Sequence, residues 1–368
     1  LNVTGKLATR LIILLLLVLL VAGIKYFGTR IINRDSSTPA VYVFDSFAMG
    51  SVLTIKVRLP DKVKAEKAAE KALAEVLRLH KIFDPNDPES ELSRLNAART
   101  NPCPVPISKD MSIVLGEALR IRDLSGGLFE PGLGELIKLW GFNDERKEPR
   151  MPDSSAISAL LDSLSWSRNV RLTADCDSVV MGAGAGSLDM GGIAQGYGVD
   201  RAIAVLAASG VNNALVNLGG EIGVLGAGAN GKSWRVGIQH PRKPSCHLGI
   251  IELTQGSFVS TSGDYERFFF LNGKRYHHIF DPLTGYSAGR KVMSVTIITS
   301  SCLEADALAT AAFVMGADRA VEFLDRIGAK GLVIYPADGD TESGNMACQA
   351  TESFLKLVTP VLEGQLIQ

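Results

Sequence analysis

Three short runs between Ser260 and Thr310 gather residue types that hold metals and phosphates: Thr261-Ser262-Gly263-Asp264-Tyr265, Tyr276-His277-His278-Ile279-Phe280-Asp281-Pro282 and Glu304-Ala305-Asp306-Ala307-Leu308-Ala309-Thr310. Asp306 and Thr310 are four residues apart, on one face of an Ala-rich helix that permits close approach. A carboxylate plus a hydroxyl, completed by main-chain and phosphate oxygens, suits magnesium rather than zinc. Such a pair is common on helices, and its arrival just after a polar hairpin is what gives it weight. In that hairpin, strand alternation sets Tyr276, His278 and Phe280 on one face and Arg275, His277 and Ile279 on the other. One imidazole beside two apolar neighbours suits a general base or a phosphate donor; a histidine packed at a strand edge is the plainer alternative. Asp281-Pro282-Leu283-Thr284-Gly285 then makes a tight turn that fixes the strand end.

Two glycine-rich stretches precede these runs. Met181–Ser187 fails as a dinucleotide fingerprint, because the third glycine is at the wrong offset and no long strand leads straight into a helix. It reads as a flexible turn. Asp189–Asp200 is more informative: Gly191, Gly192, Gly196 and Gly198 lie near the start of the helical Arg201–Ala208 segment. Amides at a helix N-terminus favour an anion such as a pyrophosphate, while close helix-on-sheet packing accounts for the same glycines equally well.

The elements that must position these residues alternate between hairpins and helices. Strands are expected at 41–47 and 52–59, around the small Ala48-Met49-Gly50-Ser51 connection. Asp61 caps a helix running to about His80, with Ala69, Leu73, Val76, Leu77 and His80 on one stripe, and residues 83–89 follow as a loop. A helix over 109–124 stops at Ser125-Gly126-Gly127. From Ala214 the pattern turns to strands, and Asn272-Gly273 is the strongest hairpin signal in the chain. Helices return at 304–315 and 317–327. Hairpins interspersed with helices, rather than regular βαβ units, predict an α+β fold with mixed or antiparallel sheets and packed helices.

With 46% hydrophobic and 21% charged residues over 368 positions, the chain reads as folded. A net charge of -1 and no basic stripe interleaved with aromatics argue against nucleic acid as a partner. The five cysteines (103, 176, 246, 302, 348) are scattered, never in a CxxC pair, and read mostly as isolated thiols. Lys6 and Arg10 precede an unbroken apolar run from Leu11 to Ile24, followed by Lys25 and Arg30. Residues 1–32 are expected to be an uncleaved signal anchor in preference to a cleaved signal peptide, 33–40 a linker and 41–368 the domain, outside the cytoplasmic membrane on the periplasmic side.

Taken together and in order, Ala48–Ser51, Ser90–Asn96, Leu139–Phe142, Asp189–Asp200, Asn217–Glu221, Thr261–Tyr265, His277–Gly285 and Ala305–Thr310 resemble the ApbE family of FAD:protein FMN transferases, over roughly Phe47 to Leu324. The resemblance implies an enzyme of that fold that binds FAD and Mg2+, cleaves the pyrophosphate, passes FMN to a threonine or serine hydroxyl of an acceptor protein and releases AMP. It implies a metal site at the Gly192 carbonyl, Asp306 and Thr310. FAD contacts would fall on Met49, Phe83, Leu128, Phe129, Glu130, Asp189, Gln195, Ser262, His278 and Phe280, and the catalytic roles on His278 and Asp306. Membrane anchoring makes extracytoplasmic subunits of redox complexes the expected acceptors. Two departures stand out. The family often has Lys where this chain has Gln195, and Asp followed two residues on by Thr where it has Glu130 and Gly132. Both are expected to tune affinity. An FAD pyrophosphatase that uses water, and a membrane-anchored flavin-binding protein without turnover, are the competing readings.

Overall fold

The structure is a computed structural model that describes residues 28–32, 40–99, 103–142, 149–163, 167–228, 231–289, 291–342 and 344–360. Its strands are β1 (Gly28–Ile32), β2 (Val41–Ala48), β3 (Ser51–Arg58), β4 (Val105–Pro106), β5 (Val170–Leu172), β6 (Ser178–Met181), β7 (Ala214–Leu218), β8 (Glu221–Leu225), β9 (Trp234–His240), β10 (Lys243–Leu253), β11 (Phe258–Gly263), β12 (Phe268–Leu271), β13 (Lys274–His277), β14 (Ser294–Thr299), β15 (Lys330–Pro336), β16 (Met346–Ala350) and β17 (Val358–Pro360). Among the described residues, nine of them form one sheet in the order β1-β2-β3-β7-β8-β11-β14-β15-β16, and every pairing in it is antiparallel.

Alternation along the central strands sends side chains to two different cores. Val216 and Leu218 join a cluster with the long helix Lys62–Phe83 and the helix Ala194–Ala208. Leu215, Ile222, Val224 and Val259 face the other way, onto the small sheet β17-β10-β9. The helix Cys302–Met315 is buried nearly all round, as its Ala-rich composition allows, and packs on β11 and β14. The result is an α+β sandwich, with helices on one face of the main sheet and strands on the other.

Several expectations shift by a turn or less. Asp61 caps its helix, with Oδ1 accepting from Val63 N and Lys64 N at 2.9 and 3.1 Å, but the helix runs on to Phe83. Its buried stripe therefore ends on Leu79 and Phe83 rather than Leu77 and His80, and His80 stays half-buried. The Met181–Ser187 run is a turn, as its spacing implies. Cys302 and Cys348 are buried thiols, and Cys176 and Cys246 are exposed ones. Gly28–Ile32, grouped by sequence with the apolar N-terminal segment, is instead an edge strand paired with β2. The anchor reading of residues 1–27 lies outside the described residues. No helix among the described residues is long and apolar enough to cross a membrane.

Candidate functional site

The helices Ala194–Ala208 and Cys302–Met315 meet so closely that a Cβ on Gly196 would lie 2.3 Å from the Cys302 carbonyl oxygen and 2.8 Å from Asp306 Cβ. Only glycine fits there, so close packing explains this glycine. That approach also lets Gly196 N donate to Asp306 Oδ2 at 2.9 Å. Asp200, one turn further along, binds Ser301 Oγ, Cys302 N and Leu303 N (2.8, 2.7 and 3.0 Å) and so caps the neighbouring helix from across the contact. Gly198 gives room in the same way, with a notional Cβ 3.2 Å from Met49 Sδ.

Asp306 is buried, and burial pushes its pKa up to about 7 against the opposing Gly196 amide. One turn on, Thr310 Oγ1 lies 3.3 Å from Ser262 Oγ. The same Thr310 hydroxyl would be 3.4 Å from a Cβ on Gly192, which also abuts Phe129 Cε2 at 3.4 Å. Gly192, Asp306, Thr310 and Ser262 are thus brought to one place by two helices and β11.

His278 approaches from just beyond β13, which ends at His277. Its Nδ1 donates to the Arg267 carbonyl at 3.2 Å, leaving Nε2 as the acceptor. Burial, then the Arg267 charge, lowers its pKa to about 3, so the ring is neutral near pH 7. The same guanidinium acts on Asp189, whose pKa burial nonetheless raises. Asp189 Oδ1 accepts from Gly191 N at 2.8 Å and its amide donates to Pro131 O at 2.8 Å, tying the 128–131 loop to the Gly191–Gly192 turn.

Met49 occupies the β2–β3 turn at φ 50, a left-handed conformation that costs energy for any side chain. Gln195 holds it there: Nε2 donates to Met49 O at 2.8 Å and to Ser51 Oγ at 3.0 Å. Gln195 is therefore a brace for a strained turn. Phe83 is buried and meets Tyr197 edge-on at 6.5 Å; it and the buried Leu128 and Phe129 belong to the core beneath the site.

Two expected ligand contacts look different in three dimensions. The Glu130 carboxylate is occupied internally, with Oε1 accepting from Gly132 N at 2.7 Å and Ser167 N at 3.0 Å, so it shapes its loop. Phe280 is 3% exposed and packs 5.5 Å from Trp140 and 5.9 Å from Phe142, so its ring is core and Phe142, 6.4 Å from His278, is the aromatic nearer the imidazole. Trp140 Nε1 donates to Gly285 O at 3.0 Å, which docks the Asp281–Gly285 turn and sets the strand end that carries His278.

Sequence reasoning passed over Arg267 and gave Glu221 no role. Glu221 opens β8 directly after Gly219 and Gly220 (φ 69 and 116), an acid at the head of an otherwise apolar strand. That contrast is the signal that marks it. Glu221 is buried, and its Oε2 has no hydrogen-bond partner among the described residues. Burial and the nearby Asp306 charge hold its pKa well above the usual carboxylate range.

A buried carboxylate oxygen without a donor, next to a second buried carboxylate, calls for a cation. The donor set is all oxygen. Carboxylate, hydroxyl and carbonyl oxygens are the donors that a hard cation takes, completed by substrate oxygens. The residues present fit Mg2+.

The fold is an α+β sandwich in which a buried acid–hydroxyl pair, a glycine-lined helix start and a neutral imidazole are brought to one side of the main sheet. The ApbE family model matches residues 49–333, and the chain belongs to the ApbE family. It is 35% identical over 283 residues to the FAD:protein FMN transferase of Treponema pallidum, covering 72% of this chain and 77% of that protein. To the Escherichia coli K12 protein of the same name it is 27% identical over 327 residues, covering 86% and 90%. Among solved structures, the ApbE protein of Thermotoga maritima superposes with a TM-score of 0.77 at 33% identity, covering 86% of this chain and 99% of that one. The flavin transferase ApbE of Vibrio cholerae gives 0.75 at 27% identity, covering 90% and 100%.

Proposed function

We propose that this chain is a Mg2+-dependent FAD:protein FMN transferase that esterifies a threonine or serine hydroxyl of an acceptor protein and releases AMP. The observation that carries the reading is the convergence of Gly192, Asp306 and Thr310, held by the Gly196–Asp306 hydrogen bond and the Gly192–Thr310 contact, in a chain similar to FAD:protein FMN transferases over most of its length. The Gly192 carbonyl, the Asp306 carboxylate and the Thr310 hydroxyl would hold the cation, which supplies charge neutralisation on the pyrophosphate. The acceptor hydroxyl attacks the phosphorus of the FMN half, the bond to the AMP oxygen breaks, and the hydroxyl proton passes to His278 Nε2, which its Nδ1–H···O bond to Arg267 keeps unprotonated. Arg267 adds positive charge beside Asp189 and His278, where an anionic substrate would lie.

The reading extends to location. The Leu11–Ile24 run between basic flanks supports an anchor in the cytoplasmic membrane, with the folded part on the extracytoplasmic side and redox-complex subunits there as acceptors. The test incubates the protein with FAD, Mg2+ and a candidate acceptor domain and weighs the acceptor. A metal-dependent gain of one FMN is the expected result; AMP release with no gain in mass would replace transfer by hydrolysis.

A further inference from the structure

The site contains one buried acid to which the proposed reaction gives no work. Antiparallel register pairs Val259 with Ile222 and Phe258 with Gly223, which sets Ser260 opposite Glu221, and Ser260 Oγ donates to Glu221 Oε1 at 3.3 Å. The face to which Glu221 points follows from its neighbours. Two residues along β8, a Cβ on Gly223 would lie 2.8 Å from Val199 Cγ1 and 2.9 Å from Ile203 Cγ1, so this face of β8 looks at the helix Ala194–Ala208. Two residues along β11 from Ser260, Ser262 meets Thr310 on the helix Cys302–Met315. Glu221, Ser260, Ser262, Asp306 and Thr310 therefore share one interface between sheet and helices. Within it Glu221 is 5% exposed and Oε2 has no partner among the described residues.

We propose that Glu221 is a positioning residue for the divalent cation, with Oε2 accepting from a cation-bound water and its charge steadying the cation against Asp306. This rests on the reading of Gly192, Asp306 and Thr310 as the cation site. An outer-sphere role fits the reluctance of Mg2+ to shed its waters. It also explains why an acid stands where the strand is otherwise apolar and where Ser260 satisfies only one of the two oxygens.

The test measures Mn2+ binding to the full chain by electron paramagnetic resonance of the free ion, with ADP present as a pyrophosphate that cannot transfer FMN. Thermal melts with and without Mg2+ accompany it. Glu221→Gln removes the charge and keeps the shape. It is expected to hold or raise the melting temperature without cation, weaken Mn2+ binding at least tenfold and shrink the stabilisation by Mg2+. Glu221→Asp, with the charge on a shorter arm, is expected to fall between the two. Wild-type Mn2+ affinity in Glu221→Gln would overturn the inference while leaving the cation site standing. A lowered cation-free melting temperature with wild-type Mg2+ stabilisation would likewise overturn it, by giving Glu221 a purely structural role. If the Gln variant does not fold, wild-type affinity in the Asp variant would overturn it. No cation binding by the unmutated protein would overturn both this inference and the cation site.

Discussion

Two adjacent imidazoles do opposite work here. His277 is enclosed: Nε2 donates to Ala288 O at 3.3 Å, Nδ1 accepts from Ile279 N at 3.3 Å, and the ring meets Phe313 edge-on at 5.3 Å. Burial lowers its pKa to about 4. The unfolded chain takes up this proton near pH 6.5 and the folded one near 4, so protons favour unfolding in between. His277 therefore contributes its full stability above about pH 6.5 and loses it as pH falls toward 4. Denaturant melts across that window should show a shallower decline in His277→Gln than in the unmutated protein; parallel declines would refute the assignment. His278, half-buried and with Nδ1 bound to the Arg267 carbonyl, is the member of the pair to which the proposed function gives the proton. Asp306 carries the larger kinetic prediction. Asp306→Ala removes the carboxylate from the proposed cation site, and loss of several kcal/mol of charge stabilisation corresponds to a roughly 10^3-fold or greater fall in transfer rate. Acceptor mass gain over time measures it, and undiminished turnover would sink the site.

At the scale of elements, the site depends on a turn held by its own hydrogen bonds. The Asp281–Gly285 turn is stitched by Thr284 N and Gly285 N to Asp281 O (3.2 and 2.9 Å) and by Leu283 N to Asp281 Oδ1 at 2.9 Å, then pinned by Trp140. Trp140 is fully buried and packs on Phe269, Tyr276, Phe280 and Tyr286. Trp140→Ala is expected to cost about 3–5 kcal/mol. Trp140→Phe, which mainly drops the hydrogen bond to Gly285, should cost about 1–2 kcal/mol, with a larger loss of transfer than of FAD binding because His278 sits at the end of the loosened strand. Chemical melts and separate kcat and KM values check both. Much of this scale was legible in the sequence, because turn chemistry and caps are local. Asn272-Gly273, with Asn272 at φ 52 and Gly273 at φ 76, makes the expected hairpin, and Ser125-Gly126-Gly127 ends its helix. What covers the Phe280 ring was not legible, because alternation fixes the side of a strand and says nothing about what covers that side; here Trp140 and Phe142, 138–140 residues earlier in sequence, cover it. The internal bonding of Glu130 was not legible for a related reason. Its partners are two backbone amides, Gly132 N and Ser167 N, and amides carry no sequence signature.

Taken whole, the molecule is an antiparallel sheet clamped between a helical layer and a small three-stranded sheet, with the site where two helices and the ends of β11 and β13 converge. The acid–hydroxyl pair was readable because it lies within one helix. Its partners in Asp189–Asp200 and Thr261–Tyr265 became readable only through the ordered family resemblance, since no spacing rule links residues brought together by tertiary packing. β15 and β16, which close one side of the sheet, are joined through Asp338-Gly339, a turn signal that by itself does not say where in the sheet the pair lies. The other edge makes the last prediction. β1 pairs in register with β2 from Gly28↔Asp45 to Ile32↔Val41, and β2 in turn pairs with β3, behind which Val41–Phe44 are buried. A chain that begins at residue 40 would keep the site residues yet leave the outer edge of β2 unpaired, and an exposed edge strand both loses pairing energy and recruits other chains. At roughly 0.2–1 kcal/mol per cross-strand pair, the loss amounts to a few kcal/mol and a drop of several degrees in melting temperature. A chain that begins at Gly28 should therefore melt higher and scatter less light than one that begins at residue 40, while both bind Mg2+ and FAD alike. Equal melting temperatures would mean that β1 adds nothing to the fold, and would return residues 28–32 to the N-terminal segment with which the sequence grouped them.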